Sequence, residues 1–576
     1  GAGMSHVVET GAYRLEVAES GLRATIASPA GEHLLTLRPL AALDTVAATD
    51  ETLAVEPPRV EGRTIVFERR STVWERAAVT LHCGEDTIDV RTSVTGRGTL
   101  ADAHLLAGRS LLPASATGFL PSGTSATTLF SPNPGDPAKL VRSAGESAVI
   151  GVSGDGSPGR GHWFSTPAPL WLGLTAAELA DPAPADWLGL GLAAPVEELT
   201  FVELRYVPAD RGFSLLLDYD GHTEVDGDFE APGVVISFGV TDPYAGLHRH
   251  RYELAARGGA SMPEPRRAPA WWSEPIFCGW GAQCRLARDA DTGAPAHATQ
   301  ANYDAFLATL EREGLVPGTV VIDDKWQAAY GTNEPDAAKW PDLAGWIAAR
   351  RARGQHVLLW WKAWDPEGAP PDLCIRRPDG VPVALDPTNP AARELIAGSV
   401  THMLARDGLD ADGLKIDFTA RTPAGRALTA HGPGWGIALL HELLAVVHAA
   451  AKAAKPDALL ITQTPHPAFA DVADMIRLND MLRLDDPGPF PPVVPQMRYR
   501  AAVARAACPE LLVDTDDWCV PSLAEWREYL EEKPALGVPS LYYADSLDWT
   551  GERLEPSDYE ALRRTWAAWR EERQAS

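Results

Sequence analysis

The sequence predicts a multidomain chain, with an N-terminal antiparallel β-sandwich followed by a (β/α)8 TIM barrel. Three observations lead there. At 576 residues the chain is too long for a single core. Residues 4–245 carry short runs of period-two hydrophobicity, whereas residues 271–576 alternate short apolar runs with helical patterns. A Pro-rich stretch separates the two textures.

In the first part Tyr13, Leu15 and Val17 alternate with polar neighbours, as do Val79, Leu81 and Cys83, then Ile88, Val90, Thr92 and Val94. Alternation punctuated by Gly, Asp and Pro marks half-buried antiparallel strands, and a sandwich is the simplest way to pair them. Asp242-Pro243 opens a helix over 244–256, and a linker follows over 263–269, so 246–270 reads as a helical connector. His248-Arg249-His250 imitates a metal motif, but it lies in this connector and reads as structural. Beyond it come eight strand candidates: 276–280, 319–322, 357–361, 413–416, 458–462, 474–477, 511–513 and 540–543. Apolar strands separated by helices imply a parallel sheet, and eight such units imply closure into a barrel. A helix over 559–573 is the last pattern, with no C-terminal β-domain after it.

Composition narrows the partners. The formal net charge of -27, from 78 acidic and 51 basic residues, repels phosphate backbones and anionic lipid. Nucleic acid and membrane are therefore not expected as partners, and no stretch reads as the ~18–20 apolar residues of a membrane helix. A neutral sugar meets no such penalty, and the 19 Trp residues offer faces that stack on sugar rings. Six cysteines show neither a disulfide framework nor zinc-ligand spacing, so no metal and no cofactor is expected. Gly1-Ala2-Gly3-Met4 reads as a tag scar before the native Met, no secretory signal follows it, and a cytoplasmic location is expected. Homo-oligomerisation is left open.

A barrel of this kind gathers its reactive groups at the C-terminal ends of its strands. The second strand runs into Asp323-Asp324-Lys325-Trp326, and the third ends in Trp360-Trp361-Lys362, followed by Trp364 and Asp365. The fourth ends Lys415-Ile416-Asp417, the sixth Arg477-Leu478-Asn479-Asp480, and the seventh runs into Asp514, Asp516 and Asp517, to which no role is assigned. Trp280 closes the first. Glycosidic cleavage needs two carboxyl groups flanking the bond, ~5–5.5 Å apart for retention and ~6.5–9.5 Å for inversion. Asp417 and Asp480 are the candidate pair, with Asp485 and Asp486 as neighbouring alternatives for the acid. Lys415 shares strand parity with Asp417 and can hold it ionised, while Arg477 stands beside Asp480. Of Trp360 and Trp361, alternation sends one toward the helices.

These motifs resemble those of glycoside hydrolase clan D, which holds the α-galactosidase families 27 and 36 and is related to family 31. The resemblance rests on Lys415-x-Asp417 after strand four, Arg477-x-x-Asp480 after strand six and Asp323-Asp324 after strand two. Asp386-Pro387-Thr388-Asn389-Pro390 and the connector helix are similar to clan segments as well. It implies Asp417 as nucleophile and Asp480 as acid/base. Asp323, Asp324, Lys415, Arg477, Trp280, Trp326, Trp361 and Lys362 would bind substrate. The activity implied is that of a retaining exo-α-glycosidase acting on a small carbohydrate or glycoside. Two departures stand out: Lys325 replaces the usual Gly, and Lys362 sits where an acidic pair is usual, which points to an altered subsite for an acidic or modified sugar. The alternatives are a transglycosylase using the same carboxylates, or a metal-dependent barrel lyase, isomerase or hydrolase that uses the acids as ligands.

Overall fold

The computed structural model describes residues 6–106, 128–132, 138–140, 150–153, 167–175, 177, 179, 183–207, 212–478, 480–481 and 492–575. Among them the N-terminal part forms two antiparallel sheets, one of four strands and one of fourteen. The long strands Thr87–Leu105 and Gly212–Glu230 form the spine of the larger sheet, paired from Ser93↔Glu230 to Leu105↔Leu215. Thr87–Leu105 buries alternate residues over its first half, as its period-two pattern predicts. A buried ion pair ties the sandwich edge. Arg69 donates to Asp50 at 2.6 and 3.0 Å, and Asp50 also accepts from Leu43 N and Ser71 Oγ.

The helix Pro243–Ala256 begins where Asp242 accepts hydrogen bonds from Tyr244 N and Ala245 N, with Pro243 at its first position. In this helix His248 Nδ1 donates to Ala506 O, and the buried Arg251 pairs with Glu510, so the motif serves packing.

Eight parallel strands then close into a barrel. They are β1 (Ile276–Cys278), β2 (Thr319–Ile322), β3 (His356–Lys362), β4 (Gly413–Asp417), β5 (Leu459–Thr462), β6 (Met475–Arg477), β7 (Leu512–Thr515) and β8 (Val538–Leu541). All eight expected strands are present, shifted by at most a few residues at their ends. Pairing sets Trp360 beside Lys415 and Lys362 beside Asp417. Side chains alternate along a strand, so Trp360, Lys362, Lys415 and Asp417 share the interior face and Trp361 faces the helices.

One reading of the sequence needs correction. Helix Gly436–Ala454 is long and apolar enough, by length and composition, to cross a bilayer. It belongs to the barrel wall, packed on Pro390–Leu404, with Leu440, Leu443, Leu444 and Val447 buried. Its first residue, Gly436, adopts φ +63°, and a Cβ there would lie 2.5 Å from the Thr200 backbone, so glycine lets the sandwich and barrel touch. His222 stacks on Trp435 at 3.6 Å, and Asp220 accepts from Gly425 N, which braces the loop after β4 from the sandwich side.

Candidate active site

The strand ends bring the predicted charged residues to one mouth. Phe418, in the left-handed region at φ +61°, turns the chain off β4, and its N–H donates to Asp417 Oδ1 at 2.9 Å. Trp360 Nε1 donates to Asp417 Oδ2 at 3.1 Å. From β6, Arg477 reaches both candidate carboxylates: Nη2 to Asp417 at 3.3 Å and Nη1 to Asp480 at 3.2 Å. The same guanidinium donates to Gln463 Oε1 and Asp516 Oδ2, each at 2.6 Å.

Exposure separates the acids. The side chains of Asp417 and Asp480 are 24% and 26% exposed, whereas Asp516 and Asp323 are 0% and 3%. Of these four, the first two present a carboxylate to an incoming ligand. Their proton affinities also diverge. Burial pushes Asp417 up, but Arg477, Lys415, the Phe418 N–H and the Trp360 indole outweigh it and hold the carboxyl below its usual range. Burial pushes Asp480 up to about 7 against the pull of Arg477, with the anions Asp516 and Asp417 adding to the rise.

The remaining expected residues fall into place differently. Lys415 pairs with Asp323 at 2.7 Å rather than with Asp417, and Cys278 Sγ donates to the same carboxylate at 3.2 Å. Both Lys415 and Asp323 are almost wholly covered, which makes them the floor of the mouth rather than its surface. Asp324 accepts from Tyr330 OH at 2.7 Å, and burial raises it to about 7. Two expected substrate-binding tryptophans do not reach the mouth. Trp361 is buried on the helix-facing side of β3, and Trp360 takes its place against Asp417. Trp326 has no exposed surface and donates to Trp360 O at 2.8 Å, so it supports Trp360 from beneath. Trp280 remains half-buried at the rim, edge-on to Trp518 at 5.8 Å. Lys362 is paired: its ammonium lies 2.9 Å from Asp365 and 4.2 Å over the Tyr330 ring. Lys325 pairs likewise with Glu367 at 2.7 Å. Asp485 and Asp486 lie outside the described residues.

Sequence reasoning missed Trp360, Gln463, Tyr330 and Asp516 as parts of the site. Asp516 carried a usable signal, its place at the end of a barrel strand; Tyr330 and Gln463 carried none. Asp517, by contrast, points outward to Lys533 and Trp526. Among the described residues no group of three or more His, Cys, Asp or Glu is placed to hold a metal ion. A cavity of about 490 Å³ in the β-domain, lined by Leu34, Trp187 and Phe238, has Glu32 and Asp186 as the ionisable groups among its described residues and lies away from the strand ends.

Solved structures share this architecture. The α-galactosidase from Lactobacillus brevis aligns over the whole chain and 84% of its own length, at 13% identity and a TM-score of 0.52. A family GH31 sulfoquinovosidase from E. rectale, bound to an aza-sugar inhibitor, aligns over 98% of this chain and 82% of its own, at 10% identity and a TM-score of 0.59. A cycloalternan-degrading enzyme from Trueperella pyogenes, in complex with isomaltose, covers the same shares at 12% identity and a TM-score of 0.53. The likeness is one of fold. No protein-family model and no curated protein matches the sequence.

Proposed function

We propose that the chain is a glycoside hydrolase, a retaining exo-α-glycosidase of α-galactosidase-like type. The observation that carries the reading is the single guanidinium of Arg477 standing between two partly exposed carboxyls whose proton affinities are shifted in opposite directions. Asp417, ionised, attacks the anomeric carbon while Asp480, protonated, delivers its proton to the leaving oxygen. Asp480 then takes a proton from water, which releases the sugar from Asp417 with its configuration kept. The α-anomer and the exo mode rest on the clan resemblance. Support for hydrolysis of O-glycosidic bonds comes from the fold neighbours, which include an α-galactosidase, a sulfoquinovosidase and a cycloalternan-degrading enzyme.

Charge favours a neutral sugar over the acidic one that Lys362 first brings to mind. Lys362, Lys325, Lys415 and Arg477 each already face a carboxylate, so an anionic ring would compete with those carboxylates for these four cations. The test is a panel of p-nitrophenyl α- and β-glycosides, neutral and acidic, with wild type beside Asp417→Asn. Release from a neutral α-glycoside, lost by about 10³-fold or more in a folded variant, is the expected result. Equal activity in the variant would remove Asp417 from the mechanism.

A further inference from the structure

The acid/base carboxyl sits on a segment that has already left its strand, and its backbone is held from outside the mouth. Leu478 N donates to Asp514 O at 3.0 Å and Met481 N to Trp518 O at 3.0 Å. Between them Arg500, from helix Val493–Ala507, places one nitrogen on two carbonyls: Nη1 donates to Leu478 O at 2.8 Å and to Asp480 O at 2.7 Å. Arg500 is only 6% exposed, and burial lowers its own pKa to about 10 against the opposing effect of Asp480. Its two carbonyl acceptors offset part of the cost of burying this cation.

The helix that carries Arg500 is itself fixed. Tyr499 OH donates to Ser131 O in the sandwich at 2.7 Å, and Phe130 meets the Tyr499 ring edge-on. At the helix end, His248 and Arg251 of the connector bond Ala506 O and Ala507 O. The sandwich and connector thus grip the helix, and the helix grips the backbone of Asp480.

We propose that Arg500 is a positioning residue that sets where the Asp480 carboxyl stands relative to the leaving oxygen. The proposal rests on Asp480 being the acid/base. A general acid acts only within hydrogen-bond reach of the atom it protonates, and a misplacement of ~1 Å costs roughly 10²-fold.

The test compares wild type, Arg500→Met and Arg500→Lys on aryl α-glycosides whose leaving phenols span a range of acidity. Poor leaving groups need the proton and good ones depart without it. In Arg500→Met, kcat/KM is expected to fall about 10- to 100-fold for phenyl glycosides and less than about 3-fold for dinitrophenyl glycosides, a part of the ~10²–10⁴ that general acid catalysis supplies. Lys, which keeps a cationic donor, is expected to fall between wild type and Met. A loss of equal size across the series, or none, with wild type active, would overturn the role of Arg500. If the Met variant does not fold, the same slope in Arg500→Lys decides the matter: steeper than wild type supports the role and unchanged overturns it. A wild type silent on every α-glycoside would instead overturn the glycosidase reading beneath it.

Discussion

Asp516 cannot touch a substrate, yet it should set the pH at which the site works. Its carboxylate is fully buried and shares Arg477 Nη1 with Asp480, at 2.6 and 3.2 Å. The two carboxylates are therefore no more than roughly 6 Å apart, where two anions repel by about 0.7 kcal/mol at a water-like dielectric and about 3 kcal/mol at an effective value of 20. Asp516→Asn removes that repulsion and returns part of the Arg477 charge to Asp480. Both effects favour the ionised form of Asp480, so its pKa should fall from about 7 by roughly 0.5 to 2. The basic limb of kcat/KM reports loss of the proton from the acid in the free enzyme, so it should move to lower pH. Asp417, already depressed, gains from the same cation, so the acidic limb should move down or stay, and the optimum should drop. Asn keeps one carbonyl oxygen for the Trp518 N–H that Asp516 now accepts. Thermal melting would confirm that the variant folds, and pH profiles on a p-nitrophenyl α-glycoside would read the shift. A basic limb that stays in place or moves to higher pH would refute the coupling of Asp516 to Asp480.

Tyr330→Phe deletes the hydroxyl that donates to Asp324 and is expected to raise KM about 5- to 30-fold, the effect of ~1–2 kcal/mol. Steady-state kinetics check it, and an unchanged KM would take Asp324 off the substrate. Asp50→Ala breaks the buried pair with Arg69 and is expected to cost about 3–5 kcal/mol of β-domain stability. Denaturant unfolding reads that loss, and a change below about 1 kcal/mol would mean the pair is relieved by relaxation.

The barrel was legible because each unit writes its own local signal: an apolar strand, a helical period, a turn. Lys415 and Asp417 on one face followed from strand parity alone. The actual partner of Lys415 did not, because Asp323 meets it across the barrel interior, a distance set by closure and not by neighbours in sequence. Trp360 and Trp361 show the same limit. Alternation says that one faces inward, but only the register of β3 against β4 says which. The membrane-like length and composition of helix Gly436–Ala454 went unrecognised in the sequence, and its burial in the barrel wall accounts for that composition. Arg500 carried no signal at all, because its task is to satisfy two carbonyls whose positions only the fold defines.

A guanidinium placed between two carboxylates would, by itself, hold both of them ionised, and two ionised groups cannot serve as nucleophile and acid. The asymmetry comes from what else each carboxylate meets. Asp417 receives the Phe418 N–H and the Trp360 indole N–H directly, and Lys415 acts on it through space. Asp480 shares its nitrogen of Arg477 with a buried anion that holds the shorter bond. In the proposed mechanism the role of each acid is therefore decided largely by Trp360 on β3, Phe418 after β4 and Asp516 after β7, which lie outside the Lys-x-Asp and Arg-x-x-Asp motifs. A chain could keep both motifs and lose the division of labour if Asp516 or Trp360 were changed. In the proposed mechanism the motifs locate the two acids, and their neighbours decide which one gives the proton.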